Sequence, residues 1–385
     1  MRRPRLLMDA GPYSLSGSAI TGIGLRIAEL AQTLSAEFPV RVLADDIVDC
    51  VPVGTAQLVP TRDWPRVLGE SDVVFFFDRP DRKRLEDTVR GGLMIVSENA
   101  PPLEHMEYPS VLAASDPVDV HRQLVAGFVR QLQVSDHFLC RSQVERTTLI
   151  ACLCVSGRLS PADIQRSRLL SHLVSTVPIG FSEASASAAQ AARPAPLADV
   201  LWTGGIWHYF DPMLLVEAIA RCRARGAELT AAFLYGQARG DAAESVRHVA
   251  ARIDALGLAD AVTLVSRPIR HQDRDAIVKA ARALVCVALP GIENETCVRL
   301  RVRDSRLYGL PTVVDSHGPT GRELADDGLA WVLARHTADD LADALVAATS
   351  AAVPGQHRTW PRTEYRYDRT AKNLVAWLEG GRDGT

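Results

Sequence analysis

Opposite charges are concentrated in one short stretch of the chain, PGIENETCVRLRVRDSRLYGLP at residues 290–311. Guanidinium groups bind phosphate oxygens through paired N–H donors, and carboxylates accept hydrogen bonds from sugar hydroxyls. The stretch therefore predicts a site for a ligand that carries both phosphates and hydroxyls. The alternative is a solvent-exposed helix face with ion pairs between residues four apart. The charged residues concerned are, in chain order, Glu293, Glu295, Arg299, Arg301 and Asp304.

The spacing of the two arginines constrains the backbone around them. Residues two apart in a regular helix point about 200° apart, so Arg299 and Arg301 reach one ligand only if a helix begins or bends there. A helix start without a side-chain cap would add backbone N–H groups directed at the same phosphate.

A glycine-rich loop, GPYSLSGSAITGIG at residues 11–24, lies between the first predicted strand and its helix. Gly22 and Gly24 would let the backbone approach a ligand closely, and the free N–H groups of a helix start favour an anion. The loop is not a dinucleotide fingerprint, because Ile27 stands where the third glycine would be. We expect it to contact the ligand, and the alternative is a flexible loop with no ligand.

A second glycine pair occurs in TGGIWHYFDP at residues 203–212. Gly204 and Gly205 follow a predicted strand, and ligands of open α/β sheets bind at the carboxyl ends of the strands. Asp211 and Pro212 suit the cap and first position of the next helix. The segment predicts a ligand-binding loop, and the alternative is a structural turn whose aromatic side chains cover a domain edge.

His105, in ENAPPLEHMEYP at residues 98–109, is the most plausible general base in the first half of the chain. An imidazole titrates near neutral pH and can accept a proton there, although a histidine in a polar loop is more often simply solvated. Ser142, followed by Glu145, predicts a helix cap and not a nucleophile.

Short apolar runs alternate with helical periodicity along the whole chain, which is typical of stacked β–α–β units. Helical spacing of Ile23, Ile27, Leu30 and Leu34 predicts the first helix. The predicted strands lie at residues 5–9, 40–44, 73–77, 93–97, 137–140, 174–178, 200–203, 229–236, 262–265, 283–289 and 312–315.

An Ala/Ser-rich segment with two prolines, residues 182–199, predicts a linker between two α/β domains. The domains are residues 1–181 and 200–361, and residues 362–385 contain a C-terminal helical pattern. Two α/β domains joined by a linker predict a central cleft in which ligands bind.

The bulk composition is that of an ordinary globular protein. The chain has 385 residues, 47% apolar and 23% charged, with a net charge of −3, so nothing favours binding to nucleic acid or to an anionic membrane. Seven scattered cysteines without a CxxC pair argue against disulfides and a zinc site. The absence of a signal-like or 18-residue apolar run favours a cytoplasmic protein with at most peripheral membrane contact.

Taken together, these segments resemble a family 4 glycosyltransferase with the GT-B architecture, an α/β fold of two Rossmann-like domains. The resemblance covers nearly the whole chain. It rests on the glycine-rich first loop, SDHFLCRSQVER (135–146), VLWTGGIWHYFDPMLLVEAI (200–219) and RLRVRDSRLYGLPTVV (299–314).

The chain departs from the family pattern in its acidic residues. Family members carry two glutamates separated by seven residues, the second five residues before the glycine of a GLP turn. Here Asp304 takes the second position. Thr296 takes the first, with Glu295 adjacent and Glu293 three residues away, so either glutamate is a candidate to face the donor sugar.

It departs also in its basic residues. The family's arginine and lysine that bind the donor diphosphate fall here on Gly205 and Phe210. We infer that Arg299 and Arg301 supply the positive charge instead.

The resemblance implies a retaining, metal-independent glycosyltransferase without a cofactor. A nucleoside diphosphate sugar would be the co-substrate, held by the C-terminal domain. A small-molecule (natural-product), lipid-linked or polysaccharide acceptor would bind the N-terminal domain, and the C-terminal helix could cross back to that domain. Two alternatives stay open: a non-catalytic, glycosyltransferase-like nucleotide-sugar-binding partner, and a nucleotide-binding oxidoreductase or epimerase.

Overall fold

The structure is a computed structural model that describes residues 2–99, 101–237, 240–351 and 361–380. The chain divides into two compact units. The first unit comprises Met1–Met106, Ala114–Ser185 and Glu364–Thr385, and the second comprises Glu107–Ala113 and Ala186–Thr363. Each unit is built around one parallel sheet.

The sheet of the first unit has seven parallel strands in the order β3-β2-β1-β4-β5-β6-β7. Because the order reverses between β1 and β4, their carboxyl ends form the position where open α/β sheets bind ligands. The strands are β1 (Leu6–Asp9), β2 (Val40–Ala44), β3 (Gln57–Pro60), β4 (Val73–Phe77), β5 (Met94–Glu98), β6 (His137–Cys140) and β7 (Val174–Thr176).

The second unit repeats this topology with six parallel strands in the order β10-β9-β8-β11-β12-β13. Its order reverses between β8 and β11. The strands are β8 (Val200–Gly205), β9 (Ala231–Tyr235), β10 (Val262–Leu264), β11 (Ala283–Cys286), β12 (Thr312–Val314) and β13 (Ala330–Val332).

Helices connect most of the strands, as is usual for crossovers between parallel strands. They are α1 (Gly22–Leu34), α2 (Trp64–Gly69), α3 (Arg82–Arg90), α4 (Pro109–Leu112), α5 (Pro117–Val134), α6 (Gln143–Val155), α7 (Pro161–Arg166), α8 (Glu183–Ala191), α9 (Pro212–Ala224), α10 (Ala243–Ala255), α11 (His271–Ala280), α12 (Ile292–Thr296), α13 (Val302–Tyr308), α14 (Gly318–Asp326), α15 (Ala338–Ala351), α16 (Tyr367–Thr370) and α17 (Lys372–Gly380).

Strand β1 shows why the central strands are apolar throughout. Leu6 and Met8 pack into one core cluster with α1, while Leu7 packs on the opposite face with Val74 and Phe76. A strand covered on both faces has no solvent side and therefore loses the alternating pattern. The α/β fold predicted from such runs is confirmed.

Local signals in the sequence also hold. Ser142 accepts a hydrogen bond from the backbone N–H of Glu145 at 3.2 Å and caps α6. Asp211 caps α9 through the N–H of Leu214 at 3.0 Å, with Pro212 in the first turn.

The predicted linker and the C-terminal segment both contain helices. Helix α8 lies within residues 182–199, and its buried Ala186 and Ala189 stand three residues apart on one face. Alanine is the strongest helix former, so composition alone favours a helix there. At the C-terminus, Tyr367, Leu374 and Leu378 pack into the core of the first unit.

Candidate functional site

The charged stretch of the second unit lies beside the end of β8, where the strand order reverses. Strand β8 ends at Gly204 and Gly205, helix α12 follows β11, and α13 begins at Val302 with Arg301 as its cap residue. A helix therefore begins at the arginine pair, which is one of the two conditions under which both arginines could reach one ligand. The cap has no side-chain hydrogen bond.

Arg299 is a neutralised cation. Its Nη1 donates to Glu293 Oε1 at 2.6 Å, and its Nε donates to Asn294 Oδ1 at 3.0 Å. The guanidinium lies 4.3 Å from the ring centroid of Tyr209. Burial lowers the pKa of Arg299, but its interactions with Cys297, Tyr209 and Glu293 keep that pKa above its ordinary value. Arg299 thus carries a charge that is already compensated.

Arg301 is different. Its guanidinium lies against two aromatic rings, 3.8 Å from the centroid of Phe210 and 4.4 Å from that of Trp202. Its Nη2 donates to the carbonyl of Gly205. Among the described residues no carboxylate forms an ion pair with Arg301, and its buried Nη1 has no hydrogen-bond partner. Burial first, and the charge of Arg299 second, lower the pKa of Arg301 to about 10.

The two glycines at the end of β8 make room for side chains. A Cβ at Gly204 would lie 2.9 Å from Cζ of Arg301, and a Cβ at Gly205 would lie 2.7 Å from Nε1 of Trp207. Real Cβ atoms do not approach other atoms so closely, so any larger residue at Gly204 must displace the guanidinium. The neighbours that come so close are Arg301 and Trp207. The ligand-binding loop that the sequence predicted at these glycines stays a prediction.

Asp304 is buried and holds two arginines. It forms a bidentate ion pair with Arg274, whose Nη1 donates to Oδ1 at 3.0 Å and whose Nη2 donates to Oδ2. Arg303 Nη1 donates to Oδ1 at 3.2 Å. Burial raises the pKa of Asp304, but Arg274 and Arg303 lower it more, so the pKa lies below its ordinary value. Both oxygens are therefore engaged inside the protein.

The two glutamates occupy different environments. Glu293 is buried, with 3% of its surface exposed, and pairs with Arg299. Glu295 is exposed. The buried ion pairs exclude a simple solvated helix face for this stretch, since Arg299 and Asp304 are also less than a tenth exposed.

One buried positive charge in the cluster has no acidic ion-pair partner among the described residues. Glu293 compensates Arg299, and Asp304 pairs with Arg274 and Arg303, whereas Arg301 forms no ion pair there. An excess of buried positive charge at the end of a strand is costly in the absence of an anion and favours binding of one.

The aromatic loop at residues 207–211 is anchored on both sides. Asn294 Nδ2 donates to the carbonyl of Tyr209 at 2.8 Å and to that of Leu289 at 2.6 Å. Asp211 Oδ2 lies 2.9 Å from His336 Nε2, a contact that raises the pKa of His336. The loop thereby holds Tyr209 and Phe210 against the two arginines.

In the first unit, Gly22 begins α1 and Gly24 lies in its first turn. The N–H of Gly24 donates to the side chain of the cap residue Thr21 at 3.0 Å, and a Cβ there would collide with the carbonyl of Ser14. Gly24 therefore allows the loop to fold against the helix start. Gly22 is exposed. Their predicted contact with the donor stays a prediction.

His105 is buried in the 3₁₀ turn Pro102–His105, so it is not a solvated loop residue. Its Nε2 lies 4.0 Å from Oδ1 of Asp78, whose Oδ2 accepts from the hydroxyl of Tyr13. Burial lowers the pKa of His105, against the opposing effect of Asp78.

The structure brings six of the predicted residues together in the second unit, namely Gly204, Gly205, Glu293, Arg299, Arg301 and Asp304. Sequence reasoning missed Arg274 and Asn294. Asn294 stands between the two glutamates and could have been proposed from its position, whereas nothing in the HQDRDAIVKA segment around Arg274 pointed to a partner 30 residues away.

The described residues include neither a candidate membrane span nor a candidate metal site. No helix in those ranges is both long and apolar enough to cross a membrane. No group of three or more histidine, cysteine, aspartate or glutamate side chains within them is placed to hold a metal ion.

No protein-family model and no curated protein sequence matches the chain. Solved structures do match over its whole length. Anabaena Alr3699/HepE in complex with UDP and glucose is 14% identical with a TM-score of 0.62, covering 98% of this chain and 99% of that one.

Two further neighbours are named as synthases. The UDP-forming α,α-trehalose-phosphate synthase from Burkholderia xenovorans is 13% identical with a TM-score of 0.62, covering 99% of both chains. Sucrose-phosphate synthase from Thermosynechococcus elongatus is 15% identical with a TM-score of 0.57, covering 98% of this chain and 95% of that one. At such identities the likeness shows the fold. The chain has the GT-B fold of glycosyltransferases, as its sequence predicted.

Proposed function

We propose that the protein is a glycosyltransferase that takes its sugar from a nucleoside diphosphate sugar and binds the diphosphate at Arg301. The observation that carries the proposal is the state of this residue. A buried guanidinium without an acidic partner, at the strand end where Rossmann-like sheets bind ligands, is a site prepared for an anion.

Each neighbouring residue has a separate role in this proposal. Arg301 donates from Nη1 to a phosphate oxygen. Arg299 contributes a second positive charge near the phosphates, and Glu293 fixes the orientation of the Arg299 side chain. Asp304 holds Arg274 and Arg303 in place, so its effect on the donor passes through those arginines and not only through a direct bond to ribose. Glu295, exposed beside the cluster, is the freer of the two glutamates to accept from hydroxyls of the donor sugar.

The neighbours support a nucleotide-sugar substrate. The Anabaena protein is described in complex with UDP and glucose, and the Burkholderia enzyme as UDP-forming. Those statements concern those proteins. Because this chain shares their fold and carries its own cationic cluster in the second unit, we infer the same class of donor.

The mechanism follows from the charge that develops on the leaving group. As the bond between the anomeric carbon and the phosphate oxygen breaks, negative charge grows on the diphosphate, and preorganised guanidinium donors stabilise that charge more than the ground state. This suits a reaction without a metal ion. Retention of configuration, through attack from the face of the departing phosphate, is the stereochemistry that the family 4 resemblance implies.

The acceptor belongs to this proposal too. We assign it to the first unit as a small-molecule or lipid-linked hydroxyl compound. His105 is the candidate that receives the proton of the attacking hydroxyl, because its lowered pKa keeps the imidazole neutral near pH 7. We expect the reaction in the cytoplasm, where nucleotide sugars are made.

A thermal-shift screen against UDP, GDP, TDP and ADP tests donor binding, because a ligand that binds only the folded state raises its melting temperature. We expect one of the four to give the largest shift, and slow hydrolysis of the matching nucleotide sugar. No shift with any nucleotide would refute the proposal. A shift without any hydrolysis or transfer would leave a non-catalytic binding partner.

A further inference from the structure

A second cluster of ionisable side chains lies in the first unit, at the point where its strand order reverses. Asp78 follows β4 directly, and β4 pairs with β1 at that point. Ligands of open α/β sheets bind at this position because the neighbouring loops turn away in opposite directions. The topology of the sheet therefore places Asp78 at a position where a ligand can bind.

The backbone of Asp78 has a positive φ of 55°. A residue with a Cβ in this left-handed region carries strain of order 1 kcal/mol or more, and such residues gather at functional sites. Aspartate tolerates the region better than most residues do. The conformation directs the carboxylate to two partners that come from different segments.

Those partners are a phenol and an imidazole. The hydroxyl of Tyr13 donates to Oδ2 of Asp78, and Nε2 of His105 lies 4.0 Å from Oδ1. The side chains of His105 and Asp78 are 5% and 12% exposed. Burial, and then the charge of Asp78, raise the pKa of Tyr13 well above its ordinary value, so its hydroxyl stays a donor.

The charges of Arg79 and Arg141 act on Tyr13, and that of Arg79 also on His105, but neither arginine forms an ion pair with Asp78. Asp9, on the neighbouring strand, is already engaged: Arg84 Nε lies 3.2 Å from its Oδ2, and the N–H of Gly11 donates to its Oδ1 at 2.9 Å. Asp78 forms no ion pair with an arginine or lysine of the described ranges, and its buried Oδ1 accepts no hydrogen bond there.

We propose that Tyr13, Asp78 and His105 form a binding site for a polyhydroxylated small molecule, in which Oδ1 of Asp78 accepts from a ligand hydroxyl. Tyr13 and His105 hold the carboxylate in position and add a phenol and an imidazole that pair with neighbouring hydroxyls. The site itself stands on this geometry. That the bound molecule is the sugar acceptor rests on the proposed function.

Binding can be followed at His105 by NMR of the full-length protein labelled with ¹³C at the histidine Cε1, with the His105 signal assigned by its loss in His105→Gln. The probes are myo-inositol, D-glucose and glycerol. We expect a saturable shift of this signal with at least one cyclic polyol. Asp78→Asn should weaken the affinity by about ten-fold or more, since a hydrogen bond to a charged group is lost.

Tyr13→Phe, which removes only a hydroxyl, is the second variant and should weaken the same affinity. Asp45→Asn is the matched control, because Asp45 is an exposed carboxylate just after β2 and should leave the affinity unchanged. A purely structural cluster predicts lower stability of Asp78→Asn with unchanged polyol affinity, and that result would overturn the proposal. So would the absence of a saturable shift with all three compounds.

A parallel UDP titration separates this inference from the proposed function. UDP binding without polyol binding overturns the site in the first unit alone. Polyol binding at His105 without binding of any nucleoside diphosphate supports the site and overturns the glycosyltransferase proposal.

Discussion

Replacing Arg301 with methionine should remove anion binding while leaving the fold almost as stable as before. Methionine keeps an unbranched apolar side chain against Phe210 and Trp202 and removes the charge. Most buried arginines cannot be replaced so cheaply, because an acidic partner stays behind. Arg301 has no such partner among the described residues.

The expected change in the free energy of unfolding follows from the lowered pKa of Arg301. A fall from 12.5 to about 10 in the folded state corresponds to a penalty on the order of 3 kcal/mol for the charged guanidinium. A lowered pKa means that the folded state disfavours the charged form, so this penalty is fully present at every pH below about 10. The substitution relieves it and gives up two cation–π contacts and one hydrogen bond, together about 2–3 kcal/mol. The net change in the free energy of unfolding should lie within about 1 kcal/mol of zero.

Arg299→Met is the matched comparison. It should cost about 3–5 kcal/mol, because it removes the guanidinium that compensates the buried Glu293. Urea denaturation measures both stabilities, and calorimetry measures nucleoside diphosphate affinity, which should fall about 30- to 1,000-fold in Arg301→Met. Unchanged nucleotide affinity in Arg301→Met, or a stability loss as large as that of Arg299→Met, would refute this reasoning.

Three other changes probe the supporting structure. Gly204→Ala should displace the guanidinium of Arg301 and weaken nucleotide affinity by about ten-fold or more. Gly127→Ala is the control, because its Cβ would meet open space, and equal affinities of the two variants by calorimetry would contradict the close contact at Gly204. Asp304→Asn should lower stability in urea by about 3–5 kcal/mol, because two buried arginines lose their carboxylate; a neutral result would show that the ion pairs do not form. His336→Gln should destabilise the protein at about pH 5.5 and much less at about pH 8.5. A raised histidine pKa gives stability that is present below about pH 6.5 and is lost as the pH rises through the raised pKa. A loss of stability that does not depend on pH would exclude the ion pair with Asp211.

The fold could be predicted from the sequence because its central strands are buried on both faces and are therefore continuous apolar runs. VVFFF at residues 73–77 is a continuous apolar run, and β4 occupies those residues. The two strands that the sequence did not predict, β3 and β13, lie at sheet edges. β3 reads QLVP and ends in proline, and β13 is three residues long with an exposed Val332, so neither carries the pattern of a buried strand.

The candidate site could be predicted from the sequence only in part. Residue types and spacing pointed to Arg299, Arg301 and Asp304, but they did not distinguish a compensated arginine from an uncompensated one. That difference depends on partners distant in the chain, such as Arg274, 30 residues from Asp304. Likewise, nothing local to His105 announced Asp78, which reaches it from the end of another strand. Such contacts arise from tertiary packing, and the local spacing of residue types along the chain does not indicate them.

The most direct test of the central claim is a crystal structure of the protein with the nucleoside diphosphate that gives the largest thermal shift. We expect a phosphate oxygen within about 2.7–3.1 Å of a guanidinium nitrogen of Arg301. We also expect Asp304 to remain paired with Arg274. A nucleotide bound with its phosphates away from Arg301, or bound outside the second unit, would contradict the account.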